Sequence, residues 1–146
     1  MRRENPSLTV EEARRVLRAS GLRCTSCRVA VLQYLSKAHA PLSHADVTEA
    51  LVPAGFDKST IYRCLVELSE CGFLSRFDLG DHAWRFEMRN DAAGQTDHPH
   101  FMCLDCGKVT CLPEVEVSIG SGKGRSKSSL GEVTEVLLKG RCKECC

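Results

Sequence analysis

Cysteine pairs with two residues between them (Cys-x-x-Cys) occur three times in this chain and constrain its fold more than any other feature. The pairs are Cys24/Cys27, Cys103/Cys106 and Cys142/Cys145. A closed structural zinc site takes four ligands, so at most two of the three pairs can share one ion. Cys106 is followed by a glycine that permits a tight turn under the sulfurs. The last pair follows EVTEVLLKG, whose β-branched residues favour a strand beside that turn. The first pair instead opens a helical segment, across an expected domain boundary. We therefore predict structural Zn²⁺ bound by four thiolates: Cys103, Cys106, Cys142 and Cys145.

Ten cysteines in 146 residues also raise the question of redox compartment. The first residues, MRRENPSLTVEE, contain no apolar stretch typical of a signal peptide, and no later run reaches membrane-spanning length. The sequence therefore predicts a cytoplasmic protein without a membrane partner, whose thiols bind metal or undergo redox chemistry rather than forming a disulfide framework. The formal net charge is +1. A small basic excess in the N-terminal half is compatible with a phosphate-containing partner, although random scatter of charges explains it equally well.

The N-terminal half carries the signals of four helices and a hairpin. Capping-box patterns, TVEE at Thr9 and SHAD at Ser43, precede the first and third helical segments. In the fourth segment, DKSTIYRCLVELSECG, apolar residues recur at i, i+4 and i+7 and Gly72 supplies a stop. FLSRFD and HAWRFEM alternate like strands around Leu79–Gly80–Asp81. Helices followed by a two-stranded hairpin predict a winged helix-turn-helix.

The polar face at the start of the fourth helical segment is a candidate nucleic-acid surface. With Ile61, Leu65 and Leu68 turned inward, Ser59, Tyr62 and Arg63 stay outside. A hydroxyl, an aromatic ring and a cation suit contacts with phosphates and base edges. An ordinary solvated helix face has the same composition, so periodicity alone leaves both interpretations open.

Two histidines precede the second cysteine pair and call for a separate explanation. His98 and His100 are two residues apart, so in an extended segment both imidazoles lie on one side. A His-x-His pair needs further ligands to hold an ion. The nearest candidates are His82 and Glu87 on the predicted wing, followed by Asp78, Asp91 and Asp97. A solvated histidine pair in a polar loop is the alternative.

Five motifs occur in a distinctive order: GLR-x-T-x-x-R-x-AVL, STIYRCLVEL, GD…RFE, H-x-H-x-x-C-x-x-CGKV and G-x-C-x-x-C. Together they resemble the ferric-uptake-regulator family of metal-dependent repressors, from about Gly21 to Cys145 with a break at residues 113–131. The resemblance implies a mixed α/β (α+β) fold with three parts. These are a winged-helix DNA-binding domain (1–89), a hinge (90–97) and a small zinc-stabilised α/β dimerisation domain (98–146).

The resemblance also implies roles for individual residues. The DNA-contacting positions that it matches are Arg23, Ser59, Thr60, Tyr62 and Arg63. The regulatory-metal positions that it matches are His98, His100 and Glu87, with His82 or Asp78 as a wing-side ligand. Cys24 and Cys27 fall at variable positions of a family motif and need no ligand role.

Several departures from the family pattern bear on metal and assembly. Pro41 and Thr134 stand where many members have ligand histidines, and the proline argues against the usual iron site. A cysteine that zinc-sensing members often carry near the end of the second wing strand is missing, which leans away from zinc. Three glycines lie in SIGSGKGRSKSS, so a dimerisation helix over residues 118–129 is doubtful.

The resulting hypothesis is a metal-responsive transcriptional repressor rather than an enzyme, and it has no small-molecule substrate. It would bind a palindromic double-stranded DNA operator as a homodimer when a regulatory divalent ion (Fe²⁺, Zn²⁺ or Mn²⁺) joins the structural zinc. The alternative is a thiol-based or peroxide redox-sensing regulator on the same fold, in which Cys24/Cys27 or Cys111/Cys146 cycle between thiol and disulfide.

Overall fold

The chain divides into two compact units. They comprise Met1–Arg89 and Asn90–Cys146. The computed structural model describes residues 7–89, 98–118, 133 and 135–146. The expected hinge at 90–97 and nearly all of the doubtful helix at 118–129 lie outside these residues. Within them, no helix is both long and apolar enough to span a membrane.

Four helices form the first part of the N-terminal unit: α1 (Val10–Ala19), α2 (Ser26–Ser36), α3 (His44–Leu51) and α4 (Lys58–Glu70). Both predicted capping boxes are present. The Thr9 hydroxyl accepts from the backbone N–H of Glu12, and the Ser43 hydroxyl accepts from that of Asp46. These bonds satisfy amides that a helix start leaves without partners, which is why local sequence predicts where the helices begin.

A three-stranded sheet completes the N-terminal unit: β1 (Leu42–Ser43), β2 (Leu74–Asp78) and β3 (Trp84–Met88). β3 lies in the middle and is antiparallel to both neighbours. The predicted wing hairpin is therefore confirmed, and β1 is an additional short strand that the sequence did not indicate. Phe86 pairs with Leu42 on one side and Arg76 on the other, and its side chain is fully buried.

The core of this unit lies between the helices and β3. Ile61, Leu65 and Leu68 of α4 are completely buried, as the i, i+4, i+7 pattern predicts. They pack in a cluster with residues of α1, α2 and α3 and with Phe86. Burying this face of α4 leaves its opposite face, with Tyr62 and Arg63, in solvent.

The C-terminal unit is built on a second three-stranded sheet: β4 (His100–Cys103), β5 (Val109–Cys111) and β6 (Leu137–Gly140). β4 is central, antiparallel to β5 and parallel to β6. The sequence predicts a strand beside the Cys103/Cys106 turn, and β6 confirms it. A β-carbon on Gly140 would lie 3.2 Å from Cε2 of Phe101, so the absence of a side chain lets β6 approach β4.

Candidate metal centres and nucleic-acid interface

Four thiols of the C-terminal unit converge at one end of β4. The Sγ atoms of Cys103, Cys106, Cys142 and Cys145 all lie within 4.8 Å of one another. A tetrahedral zinc with Zn–S bonds of about 2.3 Å separates its sulfurs by roughly 3.8 Å. The Sγ atoms of Cys106 and Cys142 are 3.8 Å apart. The donor type, their number and their spacing therefore fit a structural zinc.

The backbone around Cys103 favours metal binding by that thiol. Gly107 has a φ of 72°, which suits glycine, and its N–H donates to the Cys103 carbonyl at 3.0 Å to close the first turn. The N–H of Cys142 donates to Cys103 Sγ at 3.4 Å. Hydrogen bonds from the amides of Cys106 and Cys142 lower the pKa of Cys103 to about 6. A thiolate at neutral pH is the form that binds metal.

Surface ion pairs join the two cysteine turns. Lys108 Nζ lies 3.4 Å from Glu144, and Arg141 Nε lies 3.2 Å from Asp105. Both pairs are largely exposed, so each adds little to stability. The ion pairs orient the two cysteine turns relative to each other, because each pair connects a residue of the first turn with a residue of the last.

A second group of possible ligands lies on the β4–β5 hairpin. The ligand atoms of His98, His100 and Cys111 are within 4.8 Å of one another, and the two imidazole centroids are 4.7 Å apart. His100 is buried, with only 5% of its surface exposed. The structure thus brings together the two predicted histidines. It adds Cys111, which the sequence reasoning had considered only as a redox thiol.

The other predicted regulatory residues belong to the N-terminal unit. Glu87 is half-buried on β3. His82 is exposed in the turn between β2 and β3 and has a left-handed φ of 60°. Their roles as ligands stay predictions.

The predicted nucleic-acid residues of α4 share an exposed surface. The Asp57 carboxylate accepts from the N–H groups of Ser59 and Thr60 at 2.9 and 3.2 Å and so fixes the first turn. Ser59 and Arg63 are exposed, Thr60 is half-buried, and Tyr62 keeps 43% of its surface in solvent. A helix whose first turn is both rigid and exposed suits insertion into a DNA groove.

His44 is a member of this surface that sequence reasoning missed. Its ring meets that of Tyr62 edge-on, with centroids 5.3 Å apart, and its Nε2 lies 3.2 Å from the Lys58 carbonyl oxygen. Together with Ser59 and Arg63 these residues line a shallow depression of about 330 Å³. The SHAD cap pattern placed His44 at the start of α3, but its contact with α4 depends on the tertiary fold.

Two further basic residues, Arg23 and Arg76, are exposed on the N-terminal unit. Arg23 is exposed before α2, and its carbonyl accepts from Arg28 Nη1 at 2.9 Å. On the wing, the Arg76 guanidinium lies 4.6 Å from the centroid of Trp84, which is 46% exposed. This stack puts a cation and an aromatic ring together on the outside of the hairpin.

Cys24 and Cys27 have different hydrogen-bond partners. Cys24 donates to the Arg14 carbonyl at 3.4 Å, whereas Cys27 is buried and hydrogen-bonds to the buried thiol of Cys64. Burial raises the pKa of Cys27, and burial with the Cys27 hydrogen bond raises the pKa of Cys64 to about 12. Neither Cys27 nor Cys64 belongs to the groups of possible metal ligands found in the described residues.

A winged helix-turn-helix followed by a small unit with a four-cysteine cluster and a His-His-Cys group defines a class: metal-binding transcription regulators. Residues 19–121 match the family model described as the Ferric uptake regulator family. This chain belongs to that family, whose members are transcription regulators rather than enzymes.

Individual relatives fall on both sides of the functional alternatives. The chain is 30% identical over 102 residues to the peroxide-responsive repressor PerR of Staphylococcus aureus, covering 68% of this chain and 66% of that protein. It is also 30% identical over 104 residues to the ferric uptake regulation protein of Haemophilus ducreyi, covering 68% and 67%. A Pseudomonas aeruginosa ferric uptake regulator structure with manganese superposes with a TM-score of 0.61 at 27% identity, covering 90% and 98%.

Proposed function

We propose that this chain is a repressor that binds a palindromic operator as a homodimer when a regulatory divalent ion occupies the site around His98 and His100. The observation that carries the proposal is the presence, in one chain, of an exposed recognition-helix surface and of a second ligand group separate from the four-cysteine cluster. A structural site alone would explain the zinc cluster but would leave the second group without a role.

The exposed start of α4 supports the DNA-binding part of the proposal. Tyr62 and Arg63 are candidates for base contacts, and Ser59, Thr60 and Arg23 for phosphate contacts. The wing hairpin carries Arg76 stacked on Trp84. Winged-helix proteins use this hairpin for an additional contact with the DNA backbone. Two copies of this surface in a dimer would read two half-sites, which accounts for a palindrome.

The metal acts in this proposal by choosing between conformations. Glu87 and His82 on the wing are proposed to complete the site from the N-terminal unit, on the strength of the sequence pattern alone. An ion that binds more tightly to the DNA-competent arrangement raises its population. Linkage then requires that operator DNA strengthen metal binding by the same factor as metal strengthens DNA binding.

Operator titration with and without metal tests the proposal. The protein retains zinc in its cysteine cluster, and Mn²⁺, Fe²⁺ or Zn²⁺ is added during fluorescence-anisotropy measurement with an A/T-rich palindromic duplex. We expect metal to tighten binding by about 10- to 100-fold, corresponding to a coupling of about 1–3 kcal/mol. The double substitution His98→Ala/His100→Ala should remove this enhancement and leave the cysteine-bound zinc in place.

Matched variants separate specific loss from general damage. His39→Ala removes an exposed histidine of the N-terminal unit and should keep the metal response. Arg63→Ala should weaken operator binding in every metal state, whereas Lys37→Ala removes an equal charge after α2 and should change it little. A metal response that survives in the His98/His100 variant would refute the proposed switch.

Peroxide sensing on the same fold is the second candidate, because the similarity to PerR equals that to the ferric uptake regulation protein. Under this alternative a metal-loaded protein would lose operator binding on exposure to peroxide. Cys27 and Cys64 are poor candidates for the oxidised group because they are buried with raised pKa values. Mass spectrometry of the inactivated protein would locate the modified side chain. Retention of operator affinity after peroxide treatment would eliminate this candidate.

A further inference from the structure

Strand pairing explains how three ligands meet on the β4–β5 hairpin. His100 and Cys111 are directly opposite each other in the antiparallel register. Directly opposed residues point to the same face of a sheet, and their β-carbons lie about 5 Å apart. His98 lies two residues before His100 and so falls on the same side of the chain. Two imidazoles and one thiol therefore share a face.

The backbone around this group is held on both sides. The Leu112 N–H donates to the Pro99 carbonyl at 2.9 Å, which continues the β4–β5 pairing beyond the strand ends towards His98. The His100 N–H donates to the Val136 carbonyl at 3.0 Å on the opposite edge. Because the hairpin is fixed by these bonds, the three side chains need little ordering when an ion binds. Such preorganisation favours metal affinity.

The sulfur atom decides which ion suits the group. Thiolate is a soft donor that favours zinc, whereas manganese and other hard divalent ions favour carboxylate and carbonyl oxygens. A His₂Cys set resembles the three-ligand sets that leave one coordination position of zinc open. The sequence argument against zinc depends only on a missing cysteine on the wing. Cys111 supplies the sulfur from a different strand.

We propose that Cys111 is a thiolate ligand of the regulatory ion and makes this site select Zn²⁺ over Mn²⁺ and Fe²⁺. This proposal deepens the function proposed above and rests on it only for its biological meaning. Ligation and selectivity can be measured without DNA.

Cobalt spectroscopy of the second site tests ligation directly. Protein holding one zinc in the cysteine cluster is titrated with one equivalent of Co²⁺, under reducing conditions and without oxygen. We expect a thiolate-to-cobalt charge-transfer band in the near ultraviolet. Cys111→Ser should remove that band, and Cys146→Ser, which changes an exposed cysteine, should keep it. Zinc content of each variant reports whether the cysteine cluster is intact.

Selectivity is tested by exchanging the donor type. Competition between Zn²⁺ and Mn²⁺ is measured in the native protein and in Cys111→Asp, which replaces sulfur with carboxylate oxygen. We expect the Zn²⁺-over-Mn²⁺ affinity ratio to fall by roughly tenfold or more in the variant. An unchanged ratio, or a cobalt spectrum that is the same in native protein and Cys111→Ser, would overturn the proposal.

The outcomes also separate this inference from the proposed function. If operator binding responds to metal but no sulfur band appears, the repressor proposal stands and the ligand proposal fails. If the band appears and disappears with Cys111→Ser while operator binding ignores metal, ligation stands and the proposed switch fails.

Discussion

Removing the structural zinc should unfold the C-terminal unit and leave the N-terminal unit folded. The two units differ sharply in apolar burial. A cluster of fifteen buried residues forms the core of the N-terminal unit. Among the described residues of the C-terminal unit, only Pro99, His100 and Cys103 are buried. The described part of this unit has so little apolar core that it depends on another source of stability.

The size of the stability loss on zinc removal follows from these burial differences. Full burial of an apolar side chain contributes about 1.5–3 kcal/mol, so the few buried side chains among the described residues of the C-terminal unit supply only a few kcal/mol. Ordering each backbone residue costs about 1–2 kcal/mol. A structural zinc site contributes about 10–16 kcal/mol of apparent binding free energy at neutral pH. The free energy lost with the ion therefore exceeds any stability that the strands retain without it.

Amide hydrogen exchange reports the two units separately. Zinc is removed either by chelation under reducing conditions or by the double substitution Cys142→Ser/Cys145→Ser. In zinc-bound protein the N–H of Leu104, which donates to the Gly140 carbonyl at 2.8 Å, should be protected. Protection worth about 5 kcal/mol slows exchange by roughly 5,000-fold, and zinc removal should abolish it. Amides in the middle of α4 should keep their protection.

The matched control is Cys24→Ser/Cys71→Ser, which changes two exposed cysteines of the N-terminal unit and should alter neither zinc content nor exchange. Continued protection of the Leu104 amide in protein shown by elemental analysis to be zinc-free would refute the reasoning. Simultaneous loss of protection in α4 would show that the N-terminal unit also depends on the ion.

Three further predictions concern the N-terminal unit. Arg28 donates from Nε and Nη2 to one carboxylate oxygen of Glu67, so a double-mutant cycle measured by urea denaturation should give a coupling near 1 kcal/mol. The hydrogen bond from Arg85 lowers the pKa of Asp81 to about 2, so an NMR titration should place its midpoint there. The small stability it contributes is complete above about pH 4, because the unfolded carboxyl is then ionised, and is lost as pH falls through 2. Cys64 should resist iodoacetamide at neutral pH in native protein, because burial raises the pKa of its thiol, and should react on denaturation.

Local chemistry accounts for the parts of the fold that the sequence predicted well. Thr9 and Ser43 are followed three residues later by an acidic residue, and the resulting caps involve only neighbouring backbone groups. The inward face of α4 follows from a spacing of 3.6 residues per turn, which holds whatever the helix packs against. These features need no knowledge of distant contacts. They were therefore readable from short segments.

Contacts between distant residues account for what was missed. The spacing of Cys24 and Cys27 does not reveal that packing of α2 against α4 places Cys27 beside Cys64. His44 similarly meets Tyr62 only because α3 and α4 cross. Cys111 was missed for a different reason, since a usable signal existed. The turn that starts at Cys103 closes through its hydrogen bond with Lys108, and that closure sets a register in which position 100 faces position 111.

The register of one hairpin makes the two metal sites unequal in their dependence on each other. Along β4, Cys103 is three positions after His100, so the two side chains point to opposite faces and can serve different ions. The cysteine cluster fixes the turn that sets the register, and the register in turn brings Cys111 opposite His100. Loss of the structural zinc should therefore dismantle the second site as well. Loss of Cys111 should leave the cysteine cluster intact, because none of its four sulfurs depends on the opposite face. This asymmetry distinguishes a scaffold ion from a regulatory ion: the scaffold must be occupied before the regulatory site can exist to sense anything.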